Sequence, residues 1–389
     1  MKENELAVSI NKTLCGTLSR ESKKYIFNYS TKSEKVVSLT MPIRSESWTS
    51  DELHPIFQMN MPEGALREAI KNSFSKIEKM DDMGFLKIVG PHVLGRVKFG
   101  DLLKEHSTLS LDDILTSETE NLFEELMERF AIRSGVSGVQ PKLLLSAQNK
   151  TTMKFEHYIV KSWQKEYPNL ALNEYFCMRA VQYSGLDTPE FYLSDDLSLF
   201  VIKRFDVTEN ENGILHYMGF EDMCVLTARG TEEKYDGSYE EVARVIKDII
   251  APSKRREALK TLVKAITMNH FLRNGDGHLK NYGIVYEDDF EDASLAPIYD
   301  VITTTKYIQK DIPALYLGAN KLWWKEKTYK NFAKSSCGLS QKEFDEIVSD
   351  CMAAIATTKE EMLSFKADSK EVQVFLEELE ACWVDGFER

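Results

Sequence analysis

The stretch Asn274-Gly275-Asp276-Gly277-His278-Leu279-Lys280-Asn281 constrains this chain more than any other. Upstream of it, Leu259, Leu262, Val263, Ile266, His270 and Phe271 recur at helical spacing, so a strong amphipathic helix runs into the segment and breaks there. The glycines flanking Asp276 permit the sharp backbone turn such a loop needs. Asp276 and Asn281 form D-x-x-x-x-N, and the apolar run Ala296-Pro297-Ile298-Tyr299 then leads to Asp300. Phosphoryl transfer needs a carboxylate to accept the attacking hydroxyl's proton, and oxygen ligands for magnesium bridging the phosphates. A base and an asparagine at this spacing, with a later aspartate, supply both. Taken alone the string is more often a solvated turn with an N-capping aspartate, because D-x-x-x-x-N arises often by chance.

Other pieces decide the matter by their order. Arg133-Ser134-Gly135-Val136-Ser137-Gly138-Val139-Gln140-Pro141-Lys142 implies a tight loop feeding a strand that begins with Leu143. Main-chain N–H groups of such a loop can cradle phosphate oxygens. It is neither a Walker A loop nor a full G-x-G-x-x-G, and an ordinary hairpin has the same composition. Lys161 closes the alternating stretch 155–161, which reads as a strand. A strand lysine in a kinase-like site reaches the α/β-phosphates and is held by a helix glutamate; Glu174, on the next predicted helix, is a reasonable holder. The bland alternative is a surface lysine. Glycine loop, strand lysine, helix glutamate, second strand over 197–207, base loop and metal aspartate follow one another in kinase order.

The rest of the pattern predicts an α+β chain. Strands are expected over 6–10, 13–18 and 25–29, with a further β-like run over 36–41 that stops at Pro42. After Pro62 a helix is expected through Ala65, Ala69, Ile70, Phe74 and Ile77. Residues 104–119 read as a polar linker with one short helix, whose start Ser110 and Asp113 bracket as a cap. Leu122, Phe123, Leu126 and Phe130 form a helical stripe. Pro168 and Asn169 open a helix carrying Leu172, Phe176, Ala180 and Tyr183 on one face, closed at Gly185. Helices are also expected over 341–365 and 371–383. The organisation is a small N-terminal α/β subdomain (1–105), a lobe with the glycine loop (106–207) and an α-rich lobe (208–389).

Composition narrows the function classes. Lys plus Arg number 49 against 62 Asp plus Glu, a net charge of −13, so bulk charge does not favour coating nucleic acid or anionic membrane. Six scattered cysteines, at 15, 177, 224, 337, 351 and 382, contain no C-x-x-C pair. That argues against a zinc ribbon or a disulfide framework and fits a reducing cytoplasm. Histidines show no zinc spacing. The start MKENELAVSI lacks an apolar h-region, and no apolar run approaches the roughly 20 residues that span a bilayer. A soluble, cytoplasmic protein is expected. Cys177 and Cys224 fall in predicted packed segments, and Trp323-Trp324 reads as packing or a partner surface.

With these strings in view, the chain resembles the HipA family of bacterial serine/threonine kinases, the toxins of toxin–antitoxin pairs. The resemblance rests on 137–142, Tyr158-Ile159-Val160-Lys161, Asn173-Glu174-Tyr175-Phe176-Cys177, Lys203-Arg204-Phe205-Asp206, Glu221-Asp222-Met223-Cys224, 276–281 and Tyr299-Asp300. Val37-Ser38-Leu39-Thr40-Met41-Pro42 and Met59-Asn60-Met61-Pro62-Glu63-Gly64 are similar to the family's small N-terminal subdomain. It implies a bilobal protein-kinase-like fold, with ATP and Mg²⁺ as cofactors. Asp276 would be the catalytic base, Asn281 and Asp300 the metal ligands, and Glu174 the support of Lys161. Nucleotide contacts would come from Ser137, Gly138, Val139, Gln140, Lys142, Lys161, Lys203, Phe205, Asp206, His278 and Lys280. Glu221 and Asp222 would hold inter-lobe packing. Family members autophosphorylate a loop serine. Gly135 fills one of the two serine positions, which leaves Ser137 as the candidate, with Ser134 behind it. Pro141 stands where the family often has Glu, removing one N–H donor and one negative charge.

The resemblance also implies a protein acceptor carrying Ser or Thr, such as an aminoacyl-tRNA synthetase, and a HipB-like helix-turn-helix antitoxin that would supply any DNA contact. Two other readings use the same residues: a catalytically silent fold acting as co-repressor with the antitoxin, and a kinase for a lipid or small metabolite.

Overall fold

A computed structural model describes residues 5–63, 67–68, 70–72, 79–100, 110–116, 142–149, 154–162, 166–210, 214–287, 290–365 and 369–387. The chain folds as two compact units, each assembled from two stretches: Met1–Gln164 with Tyr192–Thr231, and Lys165–Phe191 with Glu232–Arg389.

The first unit begins with strands β1 (Glu5–Ile10), β2 (Thr13–Glu21), β3 (Lys24–Tyr29), β4 (Trp48–Ser50) and β5 (Val97–Phe99), ordered β4-β3-β2-β1-β5 in one antiparallel sheet. Alternation fixes the register: Leu6, Val8 and Ile10 all point inward and are at most 5% exposed. Gly16 in β2 is required by close approach, since a Cβ there would lie 2.4 Å from the Asn28 carbonyl and 2.6 Å from the Phe27 ring. Helix α1 (Asp82–Val89) buries Phe85, Leu86 and Val89, and Asp81 caps it by accepting the Gly84 N–H at 3.2 Å.

The run 36–41 is not a strand. Ser38 and Met41 form an isolated bridge, and the Ser38 hydroxyl and Leu39 N–H instead donate to the Glu221 carboxylate at 2.7 and 2.8 Å. Tertiary hydrogen bonds to a fully buried carboxylate outweigh the β propensity of Val36 and Val37. The helix expected after Pro62 falls largely outside the described residues, although Ile70 is buried. The stripe over 122–130 lies wholly outside them.

Helix α2 (Leu111–Leu115) carries the expected cap: the Asp113 N–H donates to the Ser110 hydroxyl at 3.1 Å and the Ser110 N–H to the Asp113 carboxylate at 3.0 Å. A second antiparallel sheet, ordered β6-β7-β9-β8, comprises β6 (Lys142–Asn149), β7 (Lys154–Lys161), β8 (Phe191–Leu193) and β9 (Phe200–Lys203). Leu111 and Ile114 seal one face of it with Leu145, Ala147, Tyr158, Val160, Leu199 and Val201. Burying side chains of this kind stabilises by roughly 1.5–3 kcal/mol each. The hairpin β10 (Val207–Glu209) with β11 (Leu215–Tyr217) and the strand β12 (Gly219–Asp222) complete this unit. Asp222 caps the turn Met223–Leu226 by accepting the Val225 N–H at 3.0 Å.

The second unit is α-rich: α3 (Leu170–Tyr183), α4 (Tyr239–Ile249), α5 (Pro252–Phe271), α6 (Glu326–Ser335), α7 (Gln341–Ser364) and α8 (Lys370–Cys382), with the short pair β13 (Gly283–Tyr286) and β14 (Ser294–Leu295). Leu172, Phe176 and Ala180 of α3 are fully buried, and the long α7 packs along both α3 and α5. Gly185 ends α3 at φ +77°, a left-handed cap that glycine adopts without strain. Cys177 is buried in this unit and Cys224 in the first. Among the described residues, no helix is long and apolar enough to cross a membrane.

Candidate active site

The loop that follows α5 is fixed from its first residue. Arg273 takes a left-handed φ of +56°, which turns the chain out of the helix. Buried Asn274 donates its side-chain N–H to the Asn269 Oδ1 at 3.0 Å, and its backbone N–H to the Asn269 carbonyl at 2.8 Å. Its own Oδ1 accepts the Asp276 N–H at 3.0 Å, an Asx turn that sets the entry to Asp276. The Gly275 N–H donates to the Thr304 hydroxyl at 2.7 Å. A Cβ on Gly275 would sit 2.0 Å from the Asp311 carboxylate and 2.8 Å from that hydroxyl; one on Gly277 would sit 2.8 Å from the Asn269 amide nitrogen. Both glycines beside Asp276 are therefore dictated by space.

Asp276 is half-buried, and its Oδ1 accepts the Tyr235 hydroxyl at 2.7 Å. The His278 N–H reaches the Asp276 carbonyl at 2.7 Å and the Asn281 Oδ1 at 3.0 Å. Asn281, 7% exposed, donates its Nδ2 to the Asp300 Oδ2 at 3.0 Å. The two residues, 19 apart in sequence, are thus brought together, the Asn281 amide nitrogen against the Asp300 carboxylate and the amide oxygen on the His278 N–H. Asp300 holds a φ of +60°, an uncommon backbone for a residue with a Cβ that aspartate tolerates better than most. Its surroundings impose it. Ile298 donates to the Asp187 carbonyl at 2.8 Å, and the Tyr299 hydroxyl to the Lys280 carbonyl at 2.8 Å. Thr303 exchanges two bonds with the Asn173 amide, at 2.8 and 3.0 Å. Backbone strain held in this way is frequent at functional sites.

Glu174 lies on α3 and is fully buried. Of the expected nucleotide contacts, His278 and Lys280 belong to this second unit, and Lys161 and the others to the first. Lys161, 3% exposed, ends β7 in register with Lys142 of β6 and Phe200 of β9, its ammonium 5.7 Å from the Phe200 ring centre. Lys203 ends β9 and pairs with Glu156 at 2.7 Å; the same carboxylate accepts the Tyr158 hydroxyl at 2.6 Å. The half-buried Phe205 stands edge-on to Phe220 at 5.4 Å. Asp206 is 2% exposed and grips the Arg204 guanidinium with both oxygens, at 2.9 and 2.7 Å, while accepting the Gly95 N–H at 2.6 Å. Burial pushes its carboxyl upward, but Arg204, with Lys98 and the Gly95 N–H, outweighs this and holds it below the usual carboxylate range. Ser137, Gly138, Val139 and Gln140, with Ser134, lie outside the described residues.

Within the second unit the structure brings together Asp276, His278, Asn281 and Asp300. It adds residues that spacing did not reveal: Tyr235, Asn269, Asn274 and Thr304. Tyr235 stands 41 residues before Asp276, in a stretch without periodicity, so only the tertiary fold identifies it.

Comparison with known proteins follows this geometry. Residues 6–100 match the HipA N-terminal domain, and residues 134–359 match the HipA-like C-terminal domain. Two curated relatives are named as kinases. Y4dM of Sinorhizobium fredii is 27% identical over 291 residues, 69% of this chain and 66% of that protein. A Haemophilus influenzae protein is 29% identical over 188 residues, 44% of this chain and 53% of that one. Among solved structures, the chain superposes on HipA from a Shewanella oneidensis complex of HipA, HipB and operator DNA, with a TM-score of 0.71 at 17% identity, covering 97% of this chain and 96% of that one. The likeness bears out the expected kinase-like α+β fold.

Proposed function

This chain belongs to the HipA family, and from that premise we propose that it is an ATP- and Mg²⁺-dependent serine/threonine protein kinase, the toxin of a toxin–antitoxin pair. The observation that carries the reading is the contact of Asn281 with Asp300 at 3.0 Å, at the end of the loop that holds Asp276 rigidly. The donor set fits magnesium: an amide oxygen and a carboxylate are hard oxygen ligands, and the amide oxygen keeps a second lone pair beyond its bond to His278. Asn281 and Asp300 would hold magnesium, which would supply neutralisation of phosphate charge. Asp276 accepts the proton of the acceptor hydroxyl and aims that oxygen.

Family resemblance assigns Lys161 to the α/β-phosphates, Glu174 to its support, and Lys142, Lys203, Phe205, His278, Lys280, Ser137, Gly138, Val139 and Gln140 to nucleotide contacts. We assign Asp206 to fixing the end of β9 through Arg204, since both its oxygens are already bonded there. Ser137 is the autophosphorylation site. The acceptor is a Ser or Thr of a cytoplasmic protein, for which an aminoacyl-tRNA synthetase is the class to try first. The partner is a HipB-like antitoxin, supported by the HipB in the Shewanella complex.

Intact mass after incubation with Mg·ATP tests this, run beside Asp276→Asn and Ser137→Ala. Added phosphate on the parent is expected, absent from both variants. No phosphate on the parent, and no labelled protein when it is given radiolabelled ATP in a cell lysate, would point instead to a silent binding fold. Transfer confined to the lipid or metabolite fraction would reassign the acceptor.

A further inference from the structure

Tyr235 is exposed, yet its place is built. The Lys234 carbonyl accepts the Leu279 N–H at 3.0 Å, and the Tyr235 carbonyl accepts the Lys321 ammonium at 2.8 Å. Two residues on, a Cβ on Gly237 would lie 2.9 Å from Leu279, so the segment presses directly on the loop that carries Asp276. The Gly237 carbonyl also accepts the Tyr316 N–H at 2.9 Å. From this pinned backbone the Tyr235 ring stands edge-on to His278 at 5.3 Å and delivers its hydroxyl to the Asp276 Oδ1 at 2.7 Å. The Asp276 backbone is itself held by Asn274, and the phenol adds a direct hydrogen bond to the carboxylate.

We propose that Tyr235 is the positioning residue of the general base: by occupying Oδ1 it fixes the Asp276 carboxylate so that Oδ2 faces the acceptor hydroxyl. The inference rests on the assignment of Asp276 as base. A carboxylate accepts more than one donor, so the phenol and the acceptor hydroxyl bind together without competing. A general base works only when held close to its productive geometry, and the phenol's bond to Oδ1 constrains the rotation of the carboxylate. Tyr235 transfers no proton, and no bond to it is made or broken.

The test is a double-mutant cycle on the full chain, read as Mg·ATP turnover with water as acceptor, beside calorimetric binding of Mg·ATP. Tyr235→Phe keeps the ring against His278 and removes only the hydroxyl. The expected result is a fall in kcat of roughly ten- to a hundredfold, the worth of one hydrogen bond to a charged group, with KM and Kd for Mg·ATP unchanged. In the Asp276→Asn background the same substitution should change turnover by less than about twofold, because the bond has already lost its charged partner. Parent-like turnover in Tyr235→Phe, with Asp276→Asn inactive, would overturn the inference and leave the kinase reading intact. Equal losses from Tyr235→Phe in both backgrounds would also overturn it, as a structural role not exerted through Asp276. An Asp276→Asn variant as active as the parent, or a parent without turnover, would remove the base assignment and the inference with it.

Discussion

At the scale of single residues, the two acidic groups that matter most are treated in opposite ways. Asp276 is half-buried and bound by a neutral phenol; its removal should be felt in rate and hardly in folding. Asp276→Asn is expected to slow turnover by about 10²–10⁴, the usual range for a general base, with Mg·ATP binding retained in calorimetry. Asp206 is the reverse case. Its charge is shut inside the first unit against Arg204, so truncating one partner strands the other. Arg204→Ala should destabilise by about 3–5 kcal/mol, whereas Arg204→Met with Asp206→Leu should restore most of the loss. Denaturant melts of the three proteins decide it; a double variant no better than Arg204→Ala would show that geometry, not an uncompensated charge, is what was lost. Both aspartates follow a strand or helix end in the sequence; the D-x-x-x-x-N spacing marks Asp276 as the proposed base, and burial marks Asp206 as the packed one.

At the scale of elements, the base loop depends on two positions where a methyl group does not fit. Gly275→Ala would drive a Cβ into the Asp311 carboxylate and the Thr304 hydroxyl, so the loop must move. Turnover should drop by at least tenfold while the far-UV spectrum stays that of the parent; an active Gly275→Ala would mean the loop is more pliant than its contacts imply. This element was readable in advance because its helix, its glycines and its acidic residue all carry local patterns. The same holds for β1 to β3, for α5, α7 and α8, and for the Ser110–Asp113 cap of α2, where period or capping chemistry is contiguous in the chain. It failed where the decisive partner was remote. The β-branched run at 36–41 reads as a strand, yet the carboxylate that bends it is Glu221, 182 residues from Leu39. Helix α4 went unread, although Ser238 and Glu241 cap it reciprocally at 3.2 and 3.0 Å. That capping box is contiguous in the string Ser238-Tyr239-Glu240-Glu241 and opens a strongly amphipathic run.

At the scale of the molecule, each unit encloses a histidine that the fold keeps neutral. In the first unit His54 accepts the Ile56 N–H through Nδ1 at 3.3 Å, and burial lowers it from 6.5 to about 4. In the second, His270 is 2% exposed, lies 3.0 Å from the Tyr329 hydroxyl and is lowered to about 3 by burial, with Arg273 adding to the effect. The His270 Nε2 is buried without a hydrogen-bond partner among the described residues, so a protonated ring would bury an unmatched N–H. The sign follows directly. With folded values below 6.5, the unfolded chain binds protons first as the pH falls. Stability from both groups is therefore whole above about pH 6.5 and declines as the pH drops, down to about 4 for His54 and about 3 for His270. Thermal melts from about pH 7.5 down to about 4.5 should show Tm falling across that window. His270→Phe keeps an aromatic ring among Trp323, Tyr329 and Phe387 and cannot titrate, so its Tm should fall less steeply than the parent's, whatever its absolute stability. Parallel curves for the two proteins would remove His270 as a source of the loss and leave it to His54, since the Asp206–Arg204 pair, with its carboxyl held below the usual range, loses its stabilisation only at more acid pH than this window.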